Sequence, residues 1–252
     1  LLGFCEPQMT GLGGDCFVLF KPAGSEDIHA INGSGRAPKG LSAAELRAQG
    51  LTAMPLYAPE AVTIPGAVDA FCRLSADWGR IGLADTLAPA IHYAEKGVPV
   101  APRVAKDWAE AAHLLQGRAR ETLLKDGKAL TLGQIFCAPG QAEVLRRIAK
   151  EGRAGSYEGE VAQDMVASLN ALGGTHSLED FATTSSEYVS PVSGPYKGVD
   201  LFEHPPNGQG ATAILMLKIL SQFDIAAMDP FGAERAHIEA EATKLAYDAR
   251  NR

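Results

Sequence analysis

At 252 residues the chain can bury a full core, and 46% apolar with 21% charged residues is ordinary for a globular protein. A formal charge of −7 without a Lys/Arg cluster argues against nucleic acid or an anionic membrane surface as partner, and no apolar run approaches the roughly 18 residues of a membrane helix. Four widely spaced cysteines (Cys5, Cys16, Cys72, Cys137) lack any CxxC pairing, so reduced, mostly buried thiols and a cytoplasmic rather than periplasmic setting are expected.

The chain opens on LLGFCEPQMT, an apolar start with no initiator Met and no basic leader, and stops at EATKLAYDARNR in mid-helix pattern. A piece of a longer polypeptide is therefore expected. The first distinctive stretch is MTGLGGDCFVLF, with Gly11, Gly13 and Gly14 in four positions. It fails as a dinucleotide fingerprint, because the third glycine position holds Cys16 and a strand follows instead of a helix. CFVLF reads as a strand covered on both faces, KPAGSED as a turn-rich link, and IHAIN as the returning strand before Gly33 and Gly35.

From Pro65 the period changes to helical. PGAVDAFCRLSADWG, LADTLAPAIHYAEKG, RVAKDWAEAAHLL, GQAEVLRRIAKEG and EVAQDMVASLNALGG predict five helices bounded by Pro or Gly. THSLEDFA predicts a capped turn, with Ser177 as N-cap and Asp180 three residues on. YVSPVSGPYKGVDLFEH predicts two strands meeting near Tyr196-Lys197-Gly198. PPNGQG then leads into a helix, with Asn207 as its N-cap, and GAERAHIEAEATKLAYDAR forms another. One domain over 1–252 is expected, its helical region of roughly 65–172 lying between sheet segments.

The usual chemical motifs are missing. There is no Gly-Lys-Ser/Thr of a phosphate loop, Ser34 falls one residue short of a GxSxG elbow, and His29, His92, His113, His176, His204 and His237 show no HxxxH or HExxH spacing. Each histidine is expected to be solvated or hydrogen-bonded. Cys16 beside Asp15 has an apolar flank that reads as core. No metal or cofactor is implied.

Four ordered blocks nevertheless carry a resemblance: EPQMTGLGGDCFVLF, VTIPGAVDAFCRLSADWGRIGLADTLAPAIHYAEKGVPV, GGTHSLEDFATTSSEYVSPVSGPYKGVDLFEHPPNGQGATAILMLKIL and AHIEAEATKLAYDAR. Together they resemble the large-subunit half of the γ-glutamyltranspeptidase family. The resemblance implies an α/β fold, the four-layer α/β/β/α sandwich of N-terminal-nucleophile hydrolases, with this chain supplying the large-subunit part. It implies a precursor that cuts itself. The new N-terminal Thr of a small subunit then becomes the nucleophile and its own α-amine the base, since a free α-amine titrates near neutrality. The partners implied are that small subunit, in an αβ heterodimer or a dimer of such heterodimers, and a small-molecule amide. No catalytic residue is then expected in this chain; Thr10, Thr175 and Thr212 are not candidates. The glycine cluster at 11–14 would press backbone against the neighbouring layer.

The sequence departs from the family where Arg-Glu-x-Ala-Pro would clasp the substrate's α-carboxylate. Here the stretch is NGSGRAPKG; aligned on Ala37-Pro38, Ser34 holds the Arg position and Arg36 comes two residues later. Arg36 and Ser34 are the candidate substrate-binding residues, Arg36 either as a carboxylate anchor or as a structural ion-pair partner. This opens three functions: γ-glutamyl transfer or hydrolysis, hydrolysis of another amide of oxamate, cephalosporin or glutaryl type, and a non-catalytic, uncleaved relative.

Overall fold

The computed structural model describes residues 1–252, which form two compact units, Leu1–Cys16 with Gly33–Ser186 and Phe17–Asn32 with Glu187–Arg252. In chain order the elements are α1 (Leu2–Cys5), β1 (Cys16–Phe20), β2 (His29–Gly33), α2 (Ala43–Ala48), α3 (Ala67–Trp78), α4 (Leu83–Lys96), β3 (Val98–Pro99), α5 (Pro102–Ala111), α6 (Arg118–Leu123), β4 (Ile135–Phe136), α7 (Pro139–Glu151), α8 (Ala154–Tyr157), α9 (Gly159–Ala171) and α10 (Leu178–Thr183). There follow β5 (Glu187–Val189), β6 (Val192–Tyr196), β7 (Val199–Glu203), α11 (Gly210–Leu220) and α12 (Ala233–Asn251).

The first unit is largely helical. α5 and α7 begin with Pro at the first helical turn, where a missing N–H costs nothing. Gly97 (φ 86°) and Gly152 (φ 62°) end α4 and α7 in backbone conformations that disfavour a side chain. One core cluster gathers Phe4, Ala94, Trp108, Phe136 and Ala142; the Phe4 and Phe136 rings stack at 5.1 Å and Trp108 meets Phe136 edge-on at 4.9 Å. A second gathers Ile64, Val68, Ile148, Tyr157, Ala162 and Phe181. Burying each of the larger side chains contributes about 1.5–3 kcal/mol.

In the second unit, β6 and β7 pair antiparallel with Tyr196 opposite Val199, and the two-residue turn between them places Lys197 (φ 45°) and Gly198 (φ 88°) in the left-handed region a tight hairpin requires. β2 pairs antiparallel with β5, setting Ala30 opposite Val189 in a sheet of order β1-β2-β5. α11 and α12 enclose a cluster of Leu220, Ile225 and Ala242.

Four sequence expectations are corrected. β1 is not covered on both faces: its exposure alternates, and Phe17 and Leu19 remain 41% and 38% exposed. Asn207 does not cap α11; the N-cap is Gln209, without a side-chain cap bond, because the turn runs two residues further before the backbone becomes helical. Gly11, Gly13 and Gly14 are exposed, and an added Cβ on any of them would meet no atom closer than 3.6 Å; the one close approach at the cluster is from Gly3, where a Cβ would lie 3.1 Å from the Gly11 Cα. What Gly14 does is cap: its carbonyl accepts from the amides of Gly66 and Ala67, at 3.1 and 3.0 Å, at the start of α3.

The thiols are the fourth correction. All four are free, but Cys5, Cys16 and Cys72 are only half-buried and Cys137 is exposed, since Cys137 lies just past β4 on the surface. Burial, with the Asp69 charge behind it, pushes the Cys72 thiol up to about 11, and burial also raises Cys16. Alkylation of the native protein by iodoacetamide near pH 8 is expected to modify Cys137 first and Cys72 last. Peptide mapping by mass spectrometry reads the order, and early loss of Cys72 would contradict it.

Candidate functional site

The segment Gly33–Gly40 leaves β2 and runs across the Val62–Gly66 stretch with no space between the two backbones. A Cβ on Gly35 would overlap the Ile64 carbonyl, one on Gly66 would overlap the Gly33 carbonyl, and one on Gly33 would lie 2.6 Å from the Ala70 Cβ. Here the absent side chain is a requirement of packing. Hydrogen bonds fix the crossing: the Gly35 amide donates to Asp15 Oδ1 at 2.9 Å, and the Ile64 amide donates to the Arg36 carbonyl at 2.9 Å. Gly40 packs on Thr175, and the Lys39 amide donates to Asp180 Oδ1 at 3.0 Å.

Asp180 ties this loop to α10. It completes a capping box, accepting from the Ser177 amide (3.0 Å) and hydroxyl (2.7 Å) through Oδ2, while its own amide donates to Ser177 Oγ. Burial alone would raise its pKa, but the Ser177 hydroxyl and the Lys39 and Ser177 amides outweigh burial and hold the carboxyl below the usual aspartate range. Its stabilising effect is therefore complete above that range and is lost only as pH falls through the lowered value.

Between the loop and α10 lies a cavity of about 110 Å³. Ser34, Arg36 and Lys39 line it on the loop side, and Asp180, Thr183 and Thr184 on the other. Both candidate residues thus share one wall: Ser34 half-buried, Arg36 exposed. The histidines lie outside it; His113, His176 and His204 each bond a backbone carbonyl. A wider cleft of about 560 Å³ sits elsewhere in this unit, among Leu12, Leu123, Val144 and Met165; its Arg147 pairs with its Glu160 at 2.7 Å, and its Asp164 pairs with Arg118 outside the lining. In the smaller cavity two cations, Arg36 and Lys39, share the lining with the hydroxyls of Ser34, Thr183 and Thr184. Sequence reasoning missed Lys39 and the Thr183–Thr184 wall; Lys39 follows Pro38 in the quoted stretch, but nothing local shows that α10 returns to it.

The family model described as Gamma-glutamyltranspeptidase matches residues 1–252. The chain belongs to the gamma-glutamyltranspeptidase family. Its relatives within this gamma-glutamyltranspeptidase group include the Glutathione hydrolase-like YwrD proenzyme of Bacillus subtilis, 34% identical over 98% of this chain and 47% of that protein. The Oxamate amidohydrolase proenzyme of Klebsiella pneumoniae is 33% identical over 97% of this chain and 47% of its own length. Among solved structures, the gamma-glutamyltranspeptidase of Helicobacter pylori superposes with a TM-score of 0.91 at 26% identity, covering 99% of this chain and 73% of that one. The cephalosporin acylase of Bacillus halodurans gives 0.90 at 36%, covering 98% and 47%. The α/β fold is that of the gamma-glutamyltranspeptidase N-terminal-nucleophile hydrolases. The chain spans about half the length of the curated relatives it matches. No helix in it is long and apolar enough to cross a membrane.

Proposed function

We propose that this chain is the large-subunit part of a self-processing amidohydrolase or acyltransferase, in which Arg36 anchors a carboxylate of the substrate with Ser34 beside it. The observation that carries this is the convergence of Ser34 and Arg36 on one cavity wall, in a loop whose glycines leave its backbone no alternative path. Two curated relatives are described as proenzymes, which supports cleavage of a precursor into two subunits. The open side chains of Phe17 and Leu19 on β1 support a further layer over that sheet, as a one-domain, four-layer α/β/β/α sandwich completed by the small subunit requires. A cytoplasmic setting goes with the free thiols.

In this reading the small subunit's N-terminal Thr hydroxyl loses its proton to the α-amine and attacks the amide carbonyl. The C–N bond breaks, the leaving amine takes up the proton, and water or an amine acceptor releases the acyl group from the threonine ester. This chain's contribution is to hold the substrate's anionic end so that the carbonyl meets the hydroxyl. Ser34 standing at the family's Arg position favours a second reading, hydrolysis of an oxamate- or glutaryl-type amide instead of a γ-glutamyl one.

Mass spectrometry of the denatured full-length protein is expected to show two chains, the smaller beginning with Thr; one uncut chain would leave a non-catalytic relative. Turnover of γ-glutamyl-p-nitroanilide, glutaryl-p-nitroanilide and oxamate separates the two specificities. Arg36→Ala is expected to raise KM at least about tenfold on the preferred substrate with little change in stability, as loss of a charge-assisted pair predicts. An unchanged KM would remove Arg36 from the site.

A further inference from the structure

Lys39 has its backbone fixed and its charge loosely held. Its amide is bonded to Asp180, whereas its ammonium pairs at 2.5 Å with Glu179, both side chains being mostly exposed at 65% and 71%. An exposed pair of this kind contributes little and exchanges partners readily. Asp180, the acid in the cavity wall, is engaged by the Lys39 amide and by the Ser177 amide and hydroxyl, which hold its oxygens in place. Arg36 and Lys39 thus line the same cavity as Asp180, whose oxygens are already engaged by these donors. Room of about 110 Å³ holds about three to four waters, at roughly 30 Å³ each, and suits a carboxylate with its adjoining carbons.

We propose that Lys39 is a second specificity-determining residue, exchanging Glu179 for the substrate carboxylate that Arg36 meets, so that the site takes compact carboxylate-bearing amides read from two sides and Glu179 acts as the internal competitor. This rests on Arg36 being the anion anchor. Arg supplies planar, two-point recognition and Lys a movable point charge, so the two are complementary. Glu179 keeps Lys39 at the rim while the cavity is empty, one turn before Thr183, whose hydroxyl bonds back to the Glu179 carbonyl at 2.7 Å.

The test is calorimetric titration of the full-length protein with glutarate, L-glutamate and oxamate at low ionic strength. Lys39→Met is expected to weaken the best-bound anion about fivefold, Lys39→Arg to return it to within about twofold of wild type, and Glu179→Gln to tighten it about twofold. These opposite signs are the signature, because a merely structural ion pair would lower melting temperature alike in Lys39→Met and Glu179→Gln and leave binding unmoved. If Arg36→Ala weakens binding and Lys39→Met does not, Lys39 has no such role while the anchor stands. If Arg36→Ala has no effect, or none of the three anions binds wild type, the anchor and Lys39 both fall.

Discussion

Gly35→Ala is expected to destabilise the full-length protein by about 3 kcal/mol or more, while Gly13→Ala leaves it unchanged or slightly stabilised. A methyl at position 35 would overlap the Ile64 carbonyl, which is backbone and cannot swing aside like a side chain. Relief requires separating the two segments, and that breaks the Ile64 amide bond to the Arg36 carbonyl and strains the Gly35 amide bond to Asp15. Overpacking alone costs about 1–3 kcal/mol, and each lost hydrogen bond adds about 1. At Gly13 an added Cβ has nothing within 4 Å and φ is not in the left-handed region, so the main effect is lower entropy of the unfolded chain. Thermal unfolding reads both: a fall of about 10 °C for Gly35→Ala and a shift within about 2 °C for Gly13→Ala. Because the Arg36 backbone moves with Gly35, KM is expected to rise in the same variant. The reverse ranking of the two glycines would overturn this account of the loop.

That contrast shows where the sequence was readable. The clustered glycines of MTGLGGDCFVLF attract the eye, yet their Cβ positions are open; Gly33, Gly35 and Gly66 are the ones bound by contact, and their neighbours are distant in sequence. Local signals read well. The Ser177–Asp180 box, the Tyr196-Lys197-Gly198 turn and the helix stops at Gly97 and Gly152 depend on a few adjacent residues, and all occur. The short β3–β4 pairing of Val98 with Phe136 was not legible, because two-residue strands carry no period. The same limit hid half the cavity. NGSGRAPKG named Ser34 and Arg36, but the Asp180, Thr183 and Thr184 wall comes from about 140 residues later, brought back by the Lys39–Asp180 bond. β1 misled in another way: its run of five apolar residues gives burial as a property of composition, whereas the exposed Phe17 and Leu19 show it depends on what covers the sheet.

The second large effect is expected at Asp69, which holds the segment carrying that wall. Asp69 is 7% exposed on α3; Oδ1 accepts from Arg153 Nε at 2.7 Å, and Oδ2 accepts from the Ser186 amide and hydroxyl, both at 2.6 Å. Arg153 in turn donates to the carbonyls of Phe181, Ala182 and Thr184 and lies 4.7 Å over the Tyr157 ring. Tyr157 donates to the Pro65 carbonyl at 2.7 Å and accepts from the Asp69 amide at 3.1 Å. One carboxylate thus closes a network joining α3, α8 and residues 181–186. Asp69→Asn keeps the shape but sets an NH2 group against either Arg153 or Ser186, and leaves the part-buried guanidinium with only the exposed Glu158 carboxylate, at 4.0 Å, as counter-charge. Such a break costs about 3–5 kcal/mol, so a fall in melting temperature on the order of 10 °C is expected. Adding Arg153→Met to Asp69→Asn should cost less than the sum of the single changes, because the stranded charge is then gone. Tyr157 gives a separate optical check. Burial, chiefly, pushes its phenol up to about 12, so the stability it contributes is complete below the ordinary tyrosine value near 10 and is lost as pH rises from there toward 12. In Asp69→Asn the 295 nm titration of that tyrosine is expected to move down toward 10 as the network opens to water. A variant that kept both its melting temperature and its tyrosine titration would show that residues 181–186, and the cavity wall with them, are held by something other than Asp69.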